Sequence, residues 1–233
     1  MTSLLSAPGS VVGAVVGAVA GSVSGAVFGA VARARGRRGL HPRGGVLTAT
    51  LHREGLARKT GVPWLDDPGE EPARVRLSRA VGLPPPLPDV LGLGVRVAPD
   101  GVPGDLLLST AGRGRLARHV LRPARSPWRS HYTSIVPFGT PTARLMVGAR
   151  PEPGGFALEV AGPGEPWRRF ARLAVAPHMP AAEEVDDGER DDQRLALDPV
   201  LHPVPGLEMP AWLARVREPA YAASRRARYA RQR

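Results

Sequence analysis

Cysteine is absent from this 233-residue chain, and lysine nearly so. Without thiols, disulfides, iron–sulfur clusters and cysteine-ligated zinc are excluded. Lys59 is the single lysine among 32 basic residues, a bias that GC-rich coding explains as well as phosphate binding does. Aromatic residues make up 5 % of the chain, with only three tyrosines. Catalytic signatures are scarce too. The six histidines, His41, His52, His119, His131, His178 and His202, fall in no HxH or HExxH spacing, which removes local support for a hydrolytic metal site. There is no GxSxG elbow and no Walker loop, and "GLGVRV" lacks the third glycine and the helix start of a dinucleotide fingerprint.

Charge is the first positive feature. The formal net charge is +11. Residues 33–43 contribute Arg33, Arg35, Arg37, Arg38 and Arg43 with no acid, and residues 215–233 contribute seven arginines against Glu218. These two segments, +5 and +6, account for the whole excess, so the body between them sums to neutrality. No basic stretch with interleaved aromatics and no reader motif is found, so nucleic acid is not an expected partner.

From Met1 to Ala32 there is no charged residue, and Gly13, Gly17, Gly21, Gly25 and Gly29 recur at four-residue steps. On a helix these glycines line one stripe where another backbone can approach closely. Residues 1–38 therefore read as a glycine-striped helix with a basic flank, serving membrane attachment or self-association. The length suffices to span a bilayer, and the arginines that follow would keep that end cytoplasmic. No basic residue precedes the apolar run, which argues against a signal peptide. The expected location is the cytoplasm or the cytoplasmic face of a membrane.

Residues 39–208 change to short alternating runs broken by Pro and Gly. The pattern predicts strands at 46–52, 73–79, 92–97, 104–109, 131–137, 143–149, 155–160 and 168–175, and a helix around 112–121. The acidic run at 183–194 reads as a solvated loop, because it lacks the glycine spacing of a calcium loop. Residues 209–233 read as a basic helix. About eight short strands followed by a helix imply an α+β protein built on a curved antiparallel sheet or barrel. On the C-terminal helix Arg217 and Tyr221 are four residues apart and share a face.

Four segments and this pair, taken in order, resemble the haem-catalase superfamily. They are "LHPRGGVLTATL" at 40–51, "VRLSRAVG" at 75–82, "PDVLGLGVRV" at 88–97, "DLLLST" at 105–110, and "RVREPAY" at 215–221, the last similar to an Arg-x-x-x-Tyr motif. The resemblance covers roughly 41–110 and 209–228. It implies a catalase-like β-barrel, haem b as cofactor, and hydrogen peroxide or an organic hydroperoxide as substrate. It further implies Tyr221 as axial ligand of the haem iron and Arg217 as the cation that favours its phenolate. His41 would be the acid/base on the opposite face, and Arg76 the partner of a haem propionate.

The chain departs from that pattern at three places. Ser109 and Thr110 stand where a distal asparagine is expected, Leu91 replaces an arginine after Asp89, and Pro219 lies between Arg217 and Tyr221. Weak or lost activity is consistent with these changes. Taken singly, His41 is an ordinary loop residue, Tyr221 a packed ring and Arg76 a solvated strand residue. Two alternatives stay open: a non-enzymatic, membrane-associated interaction domain, and a hydrolase such as a phosphodiesterase.

Overall fold

The computed structural model describes residues 43–176 and 195–222, apart from 196, 216, 220 and 221. The chain divides into two compact units, Met1–Leu40 and His41–Arg233. The first lies wholly outside the described residues, as does the acidic run at 183–194.

Among the described residues nine strands follow one another with few helical turns between them. They are β1 (Arg43–Arg53), β2 (Gly69–Arg79), β3 (Leu91–Val97), β4 (Gly104–Thr110), β5 (Tyr132–Thr133), β6 (Phe138–Gly139), β7 (Arg144–Glu152), β8 (Gly155–Ala161) and β9 (Arg168–Val175). All pairings are antiparallel. The order β5-β4-β3-β2-β1-β9-β8-β7 closes on itself through β5–β7, giving an eight-stranded barrel, while β6 pairs with β7. Closure removes the open edges of the sheet.

Alternation sets the two faces. On β2, Ala73, Val75 and Leu77 are buried and Arg74 is exposed; across the sheet Val75 pairs with Val95, and Val95 with Leu106. The next interior layer runs Leu77, Leu93, Leu108. Tyr132, Phe156, Phe170, Leu158 and Leu173 complete a core in which each is fully buried. Full burial of such a side chain stabilises by about 1.5–3 kcal/mol. Pro72 is tolerated because β2 pairs with β1 alone there, the pairing to β3 beginning at Arg74.

A single-turn helix α1 (Pro63–Asp66) packs Trp64 and Leu65 into the core, Trp64 lying edge-on to Phe170 at 5.3 Å. The Trp64 indole N–H donates to Glu71 Oε1 at 2.9 Å, and Arg53 Nε stands 3.3 Å from the same oxygen. The buried Asp66 carboxylate accepts from the backbone N–H groups of Thr60 and Gly61 and from the Thr60 hydroxyl, fixing the preceding loop.

Two predicted elements differ. The helix expected around 112–121 is a 3₁₀ turn of three residues, Ala117–His119. Gly112 turns the chain so that its N–H donates to Ala117 O, and Ala111 bridges Leu121, so a hairpin-like loop replaces helical bonding. The strand expected at 131–137 stops after Thr133. Val136 N–H donates to Ser134 O at 2.6 Å, closing a γ-turn whose central residue, Ile135, has φ 62°. A β-branched residue rarely adopts that conformation. Residues 211–215 and 217–219 are helical, and Pro219 lies within that helix. Among the described residues no helix is long and apolar enough to cross a membrane.

Candidate functional site

The outer face of β1–β4 carries Arg76 and Ser109, two of the residues singled out from the sequence. One row across the sheet is Gly44, Ser78, Gly92, Ser109 and Thr133, all small; the next is Val46, Arg76, Gly94 and Leu107. The half-buried Arg76 runs diagonally over β1. A Cβ built on Gly44 would stand 3.1 Å from the Arg76 guanidinium and 2.6 Å from Leu77 O. Glycine at 44 thus leaves room for the guanidinium to lie on backbone, beside a flat row of small residues and three residues from His41. Gly44, Ser78, Gly92 and Thr133 in this row are buried, while Ser109 and Arg76 are partly exposed, and a guanidinium fork has the geometry to match a carboxylate.

The strap over residues 195–209 covers the same face further along. Its Leu197 packs directly onto Gly94, where any Cβ would collide with the leucine. The strap is held by Asp105 on β4. That buried carboxylate accepts two bonds of 2.7 Å from Arg96 and one of 2.6 Å from the Asp198 N–H, while Asp105 N–H donates to His202 O. The hydrogen bond to Asp105 raises the Arg96 pKa above its ordinary value. Beyond the strap, a recess of about 10 Å³ lined by Phe138, Pro199, Val204 and Leu207 is large enough for one water at most.

Of the predicted site residues, Arg76 is placed in this surface. Arg217 is half-buried on the C-terminal helix. His41 and Tyr221 lie outside the described residues. The structure also separates the two residues at the expected asparagine position. Ser109 faces outward in the small row, whereas Thr110 points inward, donating to Arg122 O at 2.6 Å and accepting from Leu91 N–H. Leu91 itself is core, 2 % exposed. An arginine there would need an interior partner, so its replacement is a packing change as much as a lost ligand contact.

Two clusters had no clear signal in the motif search. On the outer face of β8, the buried Glu159 accepts from Arg113 and Arg150, both at 3.1 Å on Oε1, and His131 Nε2 lies 3.7 Å from Oε2. Burial alone would raise the Glu159 pKa, but His131 and the two guanidiniums outweigh it and hold the carboxyl down at about 2. Trp167 roofs this box: its ring lies on Gly148, its N–H donates to Arg113 O, and it meets His131 edge-on and Arg118 through a cation–π contact of 5.1 Å. Both His131 nitrogens and Glu159 Oε2 are sealed from solvent, so these groups serve to organise the box's own side chains.

The second cluster is the β4–β5 connection. No Asp or Glu occurs from 106 to 151, while Arg113, Arg115, Arg118, Arg122, Arg125, Arg129, Arg144 and Arg150 do. The neutral sum of the body conceals this polarity, whose mark in the sequence is the long gap between acids. Among the described residues, no group of three or more metal-ligating side chains comes together.

No family model matches the sequence, and no curated protein matches it. Solved structures do. A bacterial catalase superposes with a TM-score of 0.60 at 14 % identity, covering 87 % of this chain and 60 % of that one. A fungal catalase gives 0.55 at 12 % identity, covering 79 % and 58 %. Catalase A from Saccharomyces cerevisiae gives 0.59 at 10 % identity, covering 88 % and 64 %. The chain spans about three fifths of the length of these catalases. Closed antiparallel barrel, strand order and these superpositions together give the chain a catalase-like fold.

Proposed function

We propose that the protein binds haem b on the outer face of β1–β4 and acts on hydrogen peroxide or an organic hydroperoxide. The observation that carries this reading is Arg76 lying over Gly44 beside the small row of Gly44, Ser78, Gly92 and Ser109, on a barrel of catalase-like fold. In it, Arg76 would hold a propionate, Tyr221 would ligate the iron as phenolate, and Arg217, four residues before it in the sequence, would favour that anion. Bound haem supplies the redox chemistry. His41 would be the group that takes up and gives back the proton of the peroxide. Ser109 is the partly exposed hydroxyl of this row, beside the buried Ser78 and Thr133, and a hydroxyl there donates a shorter-reaching hydrogen bond than an asparagine amide would.

The test is haem reconstitution of the full chain followed by absorption. A Soret band that shifts or vanishes in Tyr221→Phe supports axial ligation, and His41→Ala should keep the band while losing peroxide reactivity. No haem uptake by the wild type refutes the reading. One observation favours a second reading: Leu197 already packs on Gly94, filling part of the outer face with the chain's own strap. A closed, non-enzymatic interaction domain would take up no haem even in Leu197→Ala, whereas uptake by that variant alone would identify the strap as the obstruction. A hydrolase has less support, since it needs a convergent ligand cluster.

A further inference from the structure

We propose that the arginine-rich loop between β4 and β5 is a docking surface for an anionic phospholipid bilayer. From Gly112 to Arg129 it carries Arg113, Arg115, Arg118, Arg122, Arg125 and Arg129 and no acid. All of these except Arg118 are exposed. Arg113 is committed to Glu159. Among the described residues Arg115, Arg122, Arg125 and Arg129 form no ion pair with a carboxylate. Four cations are thus left to face outward. An exposed field of one sign, unpaired among the described residues, attracts a polyanion.

The loop is also built to present its tip. Arg118, 3 % exposed, points inward and donates to Glu165 O at 3.0 Å while stacking on Trp167. Thr133 donates to Arg118 O at 2.7 Å, and the Gly112 N–H closes the turn on Ala117 O. This anchoring holds Leu116 and Val120, at either side of the 3₁₀ turn, 78 % and 51 % exposed.

Those two side chains decide between polyanions. A phosphate backbone offers nothing to a leucine, but a bilayer offers headgroup charge at the level of the arginines and hydrocarbon just beneath for Leu116 and Val120. Anionic phospholipid is therefore the occupant that uses both features. The surface is independent of the haem reading and distinct from the glycine-striped segment before residue 39.

The test is co-sedimentation of the full chain with vesicles of phosphatidylcholine alone and of phosphatidylcholine mixed with phosphatidylserine. Wild type should partition onto the mixed vesicles only. Each arginine near the surface contributes about five-fold in partitioning, so Arg115→Gln/Arg122→Gln should lose roughly 25-fold. Leu116→Ser, which leaves the charge unchanged, should lose about five-fold or more. The arginines at 33–43 and 215–233 are retained in every variant, so these losses report the loop; unchanged tryptophan fluorescence shows that the fold is kept. Equal sedimentation of wild type and variants overturns the proposal, as does failure of the wild type to bind the mixed vesicles. Binding to a DNA duplex instead, with the same affinity in Leu116→Ser, would identify a polynucleotide surface and overturn it too.

Discussion

Replacing Glu159 by glutamine should destabilise the fold at neutral pH and cost almost nothing in strong acid. The carboxyl is 4 % exposed and shares one oxygen between Arg113 and Arg150, with His131 facing the other. Its pKa lies at about 2 in the folded protein against an ordinary 4.5. Folding therefore gains from its ionisation by roughly 3 kcal/mol above pH 4.5, a gain that fades as the pH falls from 4.5 toward 2. The sign follows from the depressed value: in acid the unfolded chain binds this proton first. For a domain of this size the loss at pH 7 corresponds to a melting shift of about 6–12 °C. Urea unfolding of wild type and Glu159→Gln, followed through tryptophan fluorescence, should give curves well apart at pH 7 that converge by pH 2–3. A gap of constant size across that range would refute the assignment, because it would mean that Glu159 acts through shape and not through charge.

Gly44→Ala places a Cβ 2.6 Å from Leu77 O and 3.1 Å from the Arg76 guanidinium, so Arg76 must move. Haem titration should show weaker uptake by roughly ten-fold, the value of one charge-assisted contact, and unchanged affinity would remove Arg76 from the site. Tyr132→Phe deletes a buried bond of 3.0 Å from the hydroxyl to Pro127 O, leaving that carbonyl unsatisfied. Chemical denaturation should register a loss of about 1–3 kcal/mol.

The strands were legible because hydrophobic alternation is a local property. The predicted 46–52, 73–79, 92–97, 104–109, 143–149, 155–160 and 168–175 all fall on β1–β4 and β7–β9, usually within a few residues. What local pattern does not carry is which face of a strand meets the core when both are buried. On β8 every residue from Gly155 to Ala161 is buried, and only the pairing register shows that Glu159 points outward while Leu158 points inward. The same ambiguity makes Ser109 and Thr110 equivalent in sequence and opposite in space. At 112–121 helical composition was overruled by tertiary bonding, with Arg118 drawn inward to carbonyls 44 and 47 residues away. The reach of Arg76 over Gly44 follows from the Val46–Arg76 register, a long-range fact that no local pattern carries. Leu197 on Gly94 joins segments about a hundred residues apart, beyond any motif.

The barrel also has a weakest seam. Its ring is closed by β5, two residues long, which contributes two residue pairs to β4 and two to β7, whereas β1 and β2 share eleven. Opening should begin there, with the amides of Thr133 and Ser134 exchanging with deuterium sooner than those of β8. Once parted, β4 becomes a free edge bearing Leu106, Leu107 and Leu108 in succession, a segment prone to intermolecular pairing. The arginines that begin at Arg113, five residues beyond β4's last leucine, would repel a second copy at that edge. The same charge that suits this loop to an anionic surface would thus protect the chain against aggregation while it folds.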